Sequence, residues 1–252
     1  RKLQRSSFFR RFPSRDAAHL LVESRTHVNM DKQFIYSRVP KAANSTVIAT
    51  LYSDHGDIMD RDIMENVKLG DVKVSGLTDY QVEETFESFF IFTFVRNPFA
   101  RLISSYRDKI ARPGLYRSTV SRRLKYSSDC EISLDEFLDF LSSGDNLHHD
   151  GHWAPQTSLL AFPLWRYNLI GSVENLNNDL GLLCERLSLP EKQVNYAPHA
   201  TGAINHVSSL TGEQLRRIRS IYRDDFELLG YSESLDAICS PPSNSTRNRH
   251  VH

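Results

Sequence analysis

The sequence predicts an α/β protein built on a parallel sheet flanked by helices, and three observations carry that expectation. Residues 89–95 form a nearly continuous apolar, β-prone run, the pattern of a strand covered on both faces. Strand-like and helix-like segments alternate along the chain, which favours parallel pairing through crossover helices. Twice, at residues 39–46 and 94–106, an apolar run passes through a short turn straight into a helix.

Taken in order, residues 33–39 read as a strand and residues 45–53 as a helix burying Val47, Ile48 and Leu51. Residues 72–75 read as a short strand, residues 78–87 as a short helix and residues 89–95 as the central strand. Asn97 then caps a helix with Pro98 at its first position, and Phe99, Ile103, Tyr106 and Ile110 form its buried stripe. Arg101, Ser104 and Asp108 share the opposite side. Ser133 and Glu136 form a capping box opening a helix to residue 141. Residues 168–172 give another buried strand, followed by a helix over 176–187. One long helix is expected over 211–229, with Leu215, Ile218, Tyr222, Phe226 and Leu229 as its apolar stripe.

The chain divides into a basic N-terminal arm at residues 1–30, one domain at residues 31–231, and a turn-rich tail at residues 232–252, expected to be flexible. Its 252 residues suffice for one sizeable core, and the 40% hydrophobic and 25% charged composition is that of a soluble domain. Lys plus Arg equals Asp plus Glu, 31 against 31, so no overall field draws the chain to nucleic acid or membrane, and anion binding must be local. Cys130, Cys184 and Cys239 lack metal-ligand spacing and allow one disulfide at most, which favours a reducing compartment. No apolar run is long enough to span a bilayer. The sequence starts at Arg1 rather than Met. Asn244, Ser245 and Thr246 form a glycosylation sequon, meaningful only in a secretory protein.

The two strand–turn–helix junctions carry the chemistry. A strand feeding a helix N-terminus delivers unpaired N–H groups and a positive dipole end, which suits phosphate or sulfate. The first junction places Lys41 there, followed by Ala42, Ala43, Asn44, Ser45 and Thr46; the second places Arg96. No glycine lies between Phe34 and His55, so this is not the Gly-rich loop of a nucleotide triphosphatase. Small Ala42 and Ala43 still let backbone amides approach an anion, and Asn44, Ser45 and Thr46 add side-chain donors. By itself the first junction also reads as a strand stop at Pro40, a helix cap and a solvated Lys41. Arg96 sits where ligands bind in open α/β sheets, and its fork with a hydroxyl further along the helix suits a phosphate dianion.

At these residues the chain resembles the carbohydrate sulfotransferases, specifically the group containing chondroitin, dermatan and HNK-1 enzymes. The resemblance rests on Pro40-Lys41 with Ser45, and on Phe94-Val95-Arg96 through Pro98-Phe99, Arg101-Leu102, Ser104 and Tyr106. It extends through Asp108-Lys109-Ile110, His152-Trp153-Ala154-Pro155-Gln156, residues 167–171 and residues 221–231. It implies a P-loop-like sulfotransferase fold and 3′-phosphoadenosine 5′-phosphosulfate as co-substrate, with no metal. By the same resemblance, residues Lys41 to Thr46 bind the 5′-phosphosulfate, while Arg96, Arg101 and Ser104 belong to the element binding the 3′-phosphate. The acceptor is then a hydroxyl, that of a sugar or polysaccharide, with acceptor contacts expected from a loop at residues 112–130.

Lys41 suits the charge developing on the leaving oxygen, and a histidine suits the acceptor's proton. His152 is the candidate base, with His148 and His149 as neighbours that compete. Trp153 reads as core packing and Glu174 as a solvated carboxylate at a helix start. Residues 158–164 lack the Leu-Cys-x-Pro-Cys pattern of the animal members, and Ala43-Asn44-Ser45 stands where those carry Cys-Thr-Asn. These departures favour a cytoplasmic setting, the alternative being a Golgi lumen with an anchor outside this sequence. Two other readings stay open: a catalytically inactive nucleotide- or glycan-binding module, and a phosphoryl-transfer enzyme, which the lack of a Mg²⁺ carboxylate pair disfavours.

Overall fold

The computed structural model describes residues 3–13, 18–52, 72–127, 130–190 and 206–243. Among these, helices α1 (Ser7–Arg11) and α2 (His19–Arg25) lead into strands β1 (Thr26–Asn29) and β2 (Phe34–Ser37), then α3 (Asn44–Leu51). Helix α4 (Asp79–Ser88), strand β3 (Phe90–Val95) and helix α5 (Pro98–Ser105) follow, α5 running on into a π-helical turn, Tyr106–Ile110. Helices α6 (Leu115–Leu124) and α7 (Leu134–Ser142), strand β4 (Leu169–Ser172) and helices α8 (Leu176–Arg186), α9 (Gly212–Ile221) and α10 (Arg223–Leu229) complete the order.

The sheet order is β1-β2-β3-β4. Strands β2, β3 and β4 are parallel, with Tyr36 opposite Phe92 and Phe94 opposite Gly171. Strand β1 is antiparallel to β2, so the sheet is mixed and gains an edge strand from within the segment read as an arm. Alternation along the strands splits the core into two layers. Phe34, Tyr36, Phe92 and Phe94 pack with Val47, Ile48 and Leu51 of α3 and Leu180 and Leu183 of α8. Val28, Ile35, Ile91, Val95 and Ile170 face the larger layer built on α4, α5, α7, α9 and α10. Gly171 is required by close approach, because a Cβ there would come within 2.6 Å of the Phe94 ring.

Several boundaries follow local chemistry. Thr78, Ser133 and Thr211 each form a complete capping box, and Asn97 caps α5 through hydrogen bonds from the Phe99 and Ala100 amides, with Pro98 first in the helix. Other expectations need correction. Residues 72–75 give one isolated bridge, Val72 with Val28, and a 3₁₀ turn instead of a strand. The expected long helix over 211–229 breaks at Tyr222, whose backbone leaves helical geometry while its ring stays buried. Residues 112–130 hold α6 rather than a loop. The sequon at 244–246 lies outside the described residues, as does the end of the tail.

Parallel pairing matters because β2 and β3 end at the same edge of the sheet. That edge therefore receives both strand–turn–helix junctions, and β4 delivers Glu174 beside them.

Candidate active site

The two junctions converge. Arg96 donates from Nη1 to the Lys41 carbonyl at 3.3 Å, and the Arg96 backbone is clasped by Gln156, whose Oε1 accepts from Arg96 N at 2.9 Å and whose Nε2 donates to Arg96 O at 2.8 Å. Gln156 is itself fixed by the fully buried Asp225, which accepts from the amides of Gln156 and Thr157 at 2.8 and 2.9 Å. Glu174, expected as a solvated carboxylate, is instead half-buried and hydrogen-bonded beside this turn. It accepts from the Asn97 amide at 2.7 Å and from the Tyr231 hydroxyl at 2.9 Å. Burial raises its pKa, against those hydrogen bonds and the nearby Arg96 charge.

The first loop owes its shape to two left-handed residues, Lys41 at φ 68° and Ala43 at φ 57°. Such turns bring successive amides to one side as an anion-binding concavity. Ala43 is the N-cap of α3 and makes no side-chain cap hydrogen bond to the first turn. Ala42 and Thr46 are buried, while Asn44 and Ser45 are half-buried. Beside the Arg96 turn the buried Asn97 Nδ2, a hydrogen-bond donor, has no partner among the described residues. A buried donor without an acceptor next to two cations is what an oxyanion would complete.

Lys41 Nζ is 3.0 Å from Asp108 Oδ2, and that carboxylate also holds Lys109 Nζ at 3.1 Å. Burial lowers the Lys41 pKa, opposed by its hydrogen bond with Asp108. Asp108 stands on the π-helical turn that follows α5, a distortion common at functional sites. From there contacts lead to the histidine. Lys109 Nζ lies 4.8 Å from the Tyr116 ring centroid, and that ring meets His152 edge-on at 4.9 Å.

His152 Nδ1 is 2.6 Å from Asp150 Oδ1, which also accepts from the His152 amide at 2.8 Å. Burial pushes the imidazole pKa below 6.5, with Asp150 working upward and Arg25 and Lys109 downward. A neutral ring with Nδ1–H on the carboxylate leaves Nε2 as a proton acceptor at neutral pH. Asp150, paired with the candidate base, is a site residue that sequence reasoning missed. A carboxylate two residues before the candidate base was the available signal. His149 is exposed, and His148 lines a separate cavity of about 840 Å³ with Phe162, Trp165 and Arg223, which none of Lys41, Arg96 and His152 lines. Trp153 is buried against Phe137 and Phe140.

Two site residues sit otherwise than the helical pattern implies. Helix α5 is buried on all sides, Arg101 and Ser104 each being 1% exposed. Arg101 donates to three backbone carbonyls, of Pro40, Ala154 and Gly151, so its guanidinium faces protein rather than solvent. Among the described residues, no group of three or more His, Cys, Asp or Glu side chains is placed to hold a metal ion, and Cys130, Cys184 and Cys239 form no disulfide.

A family model described as "Sulfotransferase family" matches residues 24–232. The chain is 30% identical to carbohydrate sulfotransferase 14 of Danio rerio, an alignment covering 81% of this chain and 61% of that relative. It is 27% identical to carbohydrate sulfotransferase 10 of Xenopus laevis, covering 87% and 71%, and 25% identical to carbohydrate sulfotransferase 14 of Homo sapiens, covering 84% and 60%. The chain thus spans less than two thirds of the length of the first and third of these relatives. No solved structure matches.

Proposed function

Because the chain belongs to the sulfotransferase family, we propose that it transfers a sulfuryl group from 3′-phosphoadenosine 5′-phosphosulfate to a hydroxyl of a carbohydrate. The observation that carries this reading is the 3.3 Å contact between Arg96 and the Lys41 carbonyl, which joins two anion-binding turns at one sheet edge. A single nucleotide with phosphate groups at both ends has use for two such turns. Residues 41–46 would hold the 5′-phosphosulfate; Arg96 would hold the 3′-phosphate, with Ser104 enclosed in the helix that follows.

In this reading the acceptor oxygen attacks sulfur in line, its proton passes to His152 Nε2, and the bond from sulfur to the phosphate oxygen breaks. The electron pair leaves on the 5′-phosphate of adenosine 3′,5′-bisphosphate. The Lys41 ammonium stabilises that oxygen, and Asp150 keeps the imidazole in the receptive tautomer and stabilises its protonated form. Carbohydrate as acceptor class is supported by the relatives' names. The same kinship favours the Golgi lumen over the cytoplasmic setting, and among the described residues no helix is long and apolar enough to cross a membrane. The inactive-module reading is less favoured, because Lys41 and an Asp–His pair are both in place.

Isothermal titration with adenosine 3′,5′-bisphosphate and with ATP tests the donor site, and transfer of radiolabelled sulfate to a carbohydrate panel tests the reaction. Selective binding of the bisphosphate with label transfer is expected. Preference for magnesium–ATP would overturn the proposal.

A further inference from the structure

Arg101 lies fully inside the protein, and the partners of its guanidinium come from two separate loops. Nε donates to the Pro40 carbonyl at 3.0 Å, Nη1 to Ala154 at 2.8 Å and Nη2 to Gly151 at 2.8 Å. Pro40 directly precedes Lys41, whereas Gly151 and Ala154 bracket His152. We propose that Arg101 is a positioning residue for group transfer, one that sets the spacing between Lys41 and His152 by holding both loops on a single rigid plane.

The chemistry of the side chain supports this role. A guanidinium is planar and always charged, so three carbonyls bound to it keep fixed mutual positions. Its hydrogen bonds go to neutral carbonyls, and an apolar side chain of similar volume commonly serves stability as well as a buried charge does. Positioning gives the charge a use that stability does not. Each loop also has its own support. The first is held by Ala42 N on the Val39 carbonyl and by Arg96 on the Lys41 carbonyl, the second by Asp225 and by the Tyr222 hydroxyl on the Trp153 carbonyl. Besides Arg101, the two loops share an apolar contact of Val39, Ala42, Ala154 and Leu159, the approach of the Pro40 ring to Gly151, and an indirect link through Arg96, which Gln156 holds by its backbone. Loss of the guanidinium would therefore loosen the spacing between the loops more than either loop itself.

The inference rests on the sulfotransferase reading, so the parent protein is assayed alongside. If the parent transfers no sulfate, the reading fails; if it does, the variants judge Arg101 alone. Arg101→Lys keeps the charge but cannot span three carbonyls. At saturating donor and acceptor, turnover per bisphosphate-binding site should fall about thirtyfold or more, while bisphosphate affinity changes by about threefold or less. Leu138→Ala, a core change on α7, serves as the control for lost stability: its turnover per binding site should match the parent. Turnover of Arg101→Lys within threefold of the parent, or losses in affinity and turnover of equal size, would overturn the proposal. Should Arg101→Lys show no cooperative melt, hydrogen exchange on the parent decides. Bisphosphate binding should then slow the Trp153 and Ala154 amides together with those of residues 41–46, and protection confined to residues 41–46 and 96–104 would refute the coupling.

Discussion

Asp150→Asn isolates the proton-accepting half of the proposed chemistry. The 2.6 Å contact between His152 Nδ1 and Asp150 Oδ1 is a short, charge-assisted hydrogen bond on a half-buried carboxylate. Such bonds contribute about 1.5–3 kcal/mol, and the contribution grows as the ring takes up a proton, so turnover should fall by about ten- to a hundredfold. The pH dependence gives a second readout. In the parent, His152 has a pKa below 6.5, so the acidic limb of the turnover profile should have its midpoint below pH 6.5 and a plateau at neutral pH. Asp150 works to raise that pKa, against burial and the charges of Arg25 and Lys109. Removing its charge should therefore move the midpoint further down, so the loss at pH 7.5 reflects a lower plateau and not a protonated ring. Initial rates of radiolabelled sulfate transfer between pH 5 and 8.5 measure both quantities. A plateau within twofold of the parent, or a midpoint that moves up, would refute the assignment of Asp150 and His152.

Lys41→Ala should lower turnover by about a hundredfold or more if the ammonium stabilises the leaving oxygen; near-normal single-turnover rates at saturating donor would reject that role. Arg96→Ala should weaken bisphosphate binding by about 2 kcal/mol through loss of a charge-assisted contact, and an unchanged calorimetric titration would contradict it. Ala43→Gly should stabilise the protein by about 0.5–1 kcal/mol, because a left-handed alanine is strained where glycine is not. Denaturant unfolding checks this, and a lower midpoint at unchanged slope would show that the loop is not strained there.

The parts of the fold legible in the sequence were those where local chemistry and tertiary environment agree. The apolar run that became β3 and the caps at Asn97 and Ser133 carry their signals within a few residues, and the structure has all of them. Strand β1 was hidden because Thr26-His27-Val28-Asn29 alternates no more clearly than a loop, and only its pairing with β2 buries all four residues. The break at Tyr222 was hidden for a related reason. The apolar stripe of residues 215–229 keeps helical spacing across it, while the Tyr222 hydroxyl is drawn to the Trp153 carbonyl at 2.6 Å. Residues 72–75 have strand composition but meet the sheet at one point only.

In the site, the side chains proposed to touch a ligand are more legible in the sequence than those that hold them in place. Lys41, Arg96 and His152 announce themselves by charge at a strand end or by motif. Asp225, Gln156 and Glu174 act on backbone atoms 60 or more residues away, and no local pattern encodes such a partner. Arg101 shows the difference most clearly. Helical periodicity places it opposite the apolar stripe of α5, where a solvent- or ligand-facing cation is the ordinary expectation. That expectation assumes a helix covered on one side, yet α5 is buried throughout, and Arg101 meets both the loop before Lys41 and the loop around His152. A charge in that place persists only if its donors are all used, and backbone carbonyls from both loops use them. The same burial that defeats helical periodicity ties both loops to one helix, so the interior charge and its proposed positioning role have a single cause here.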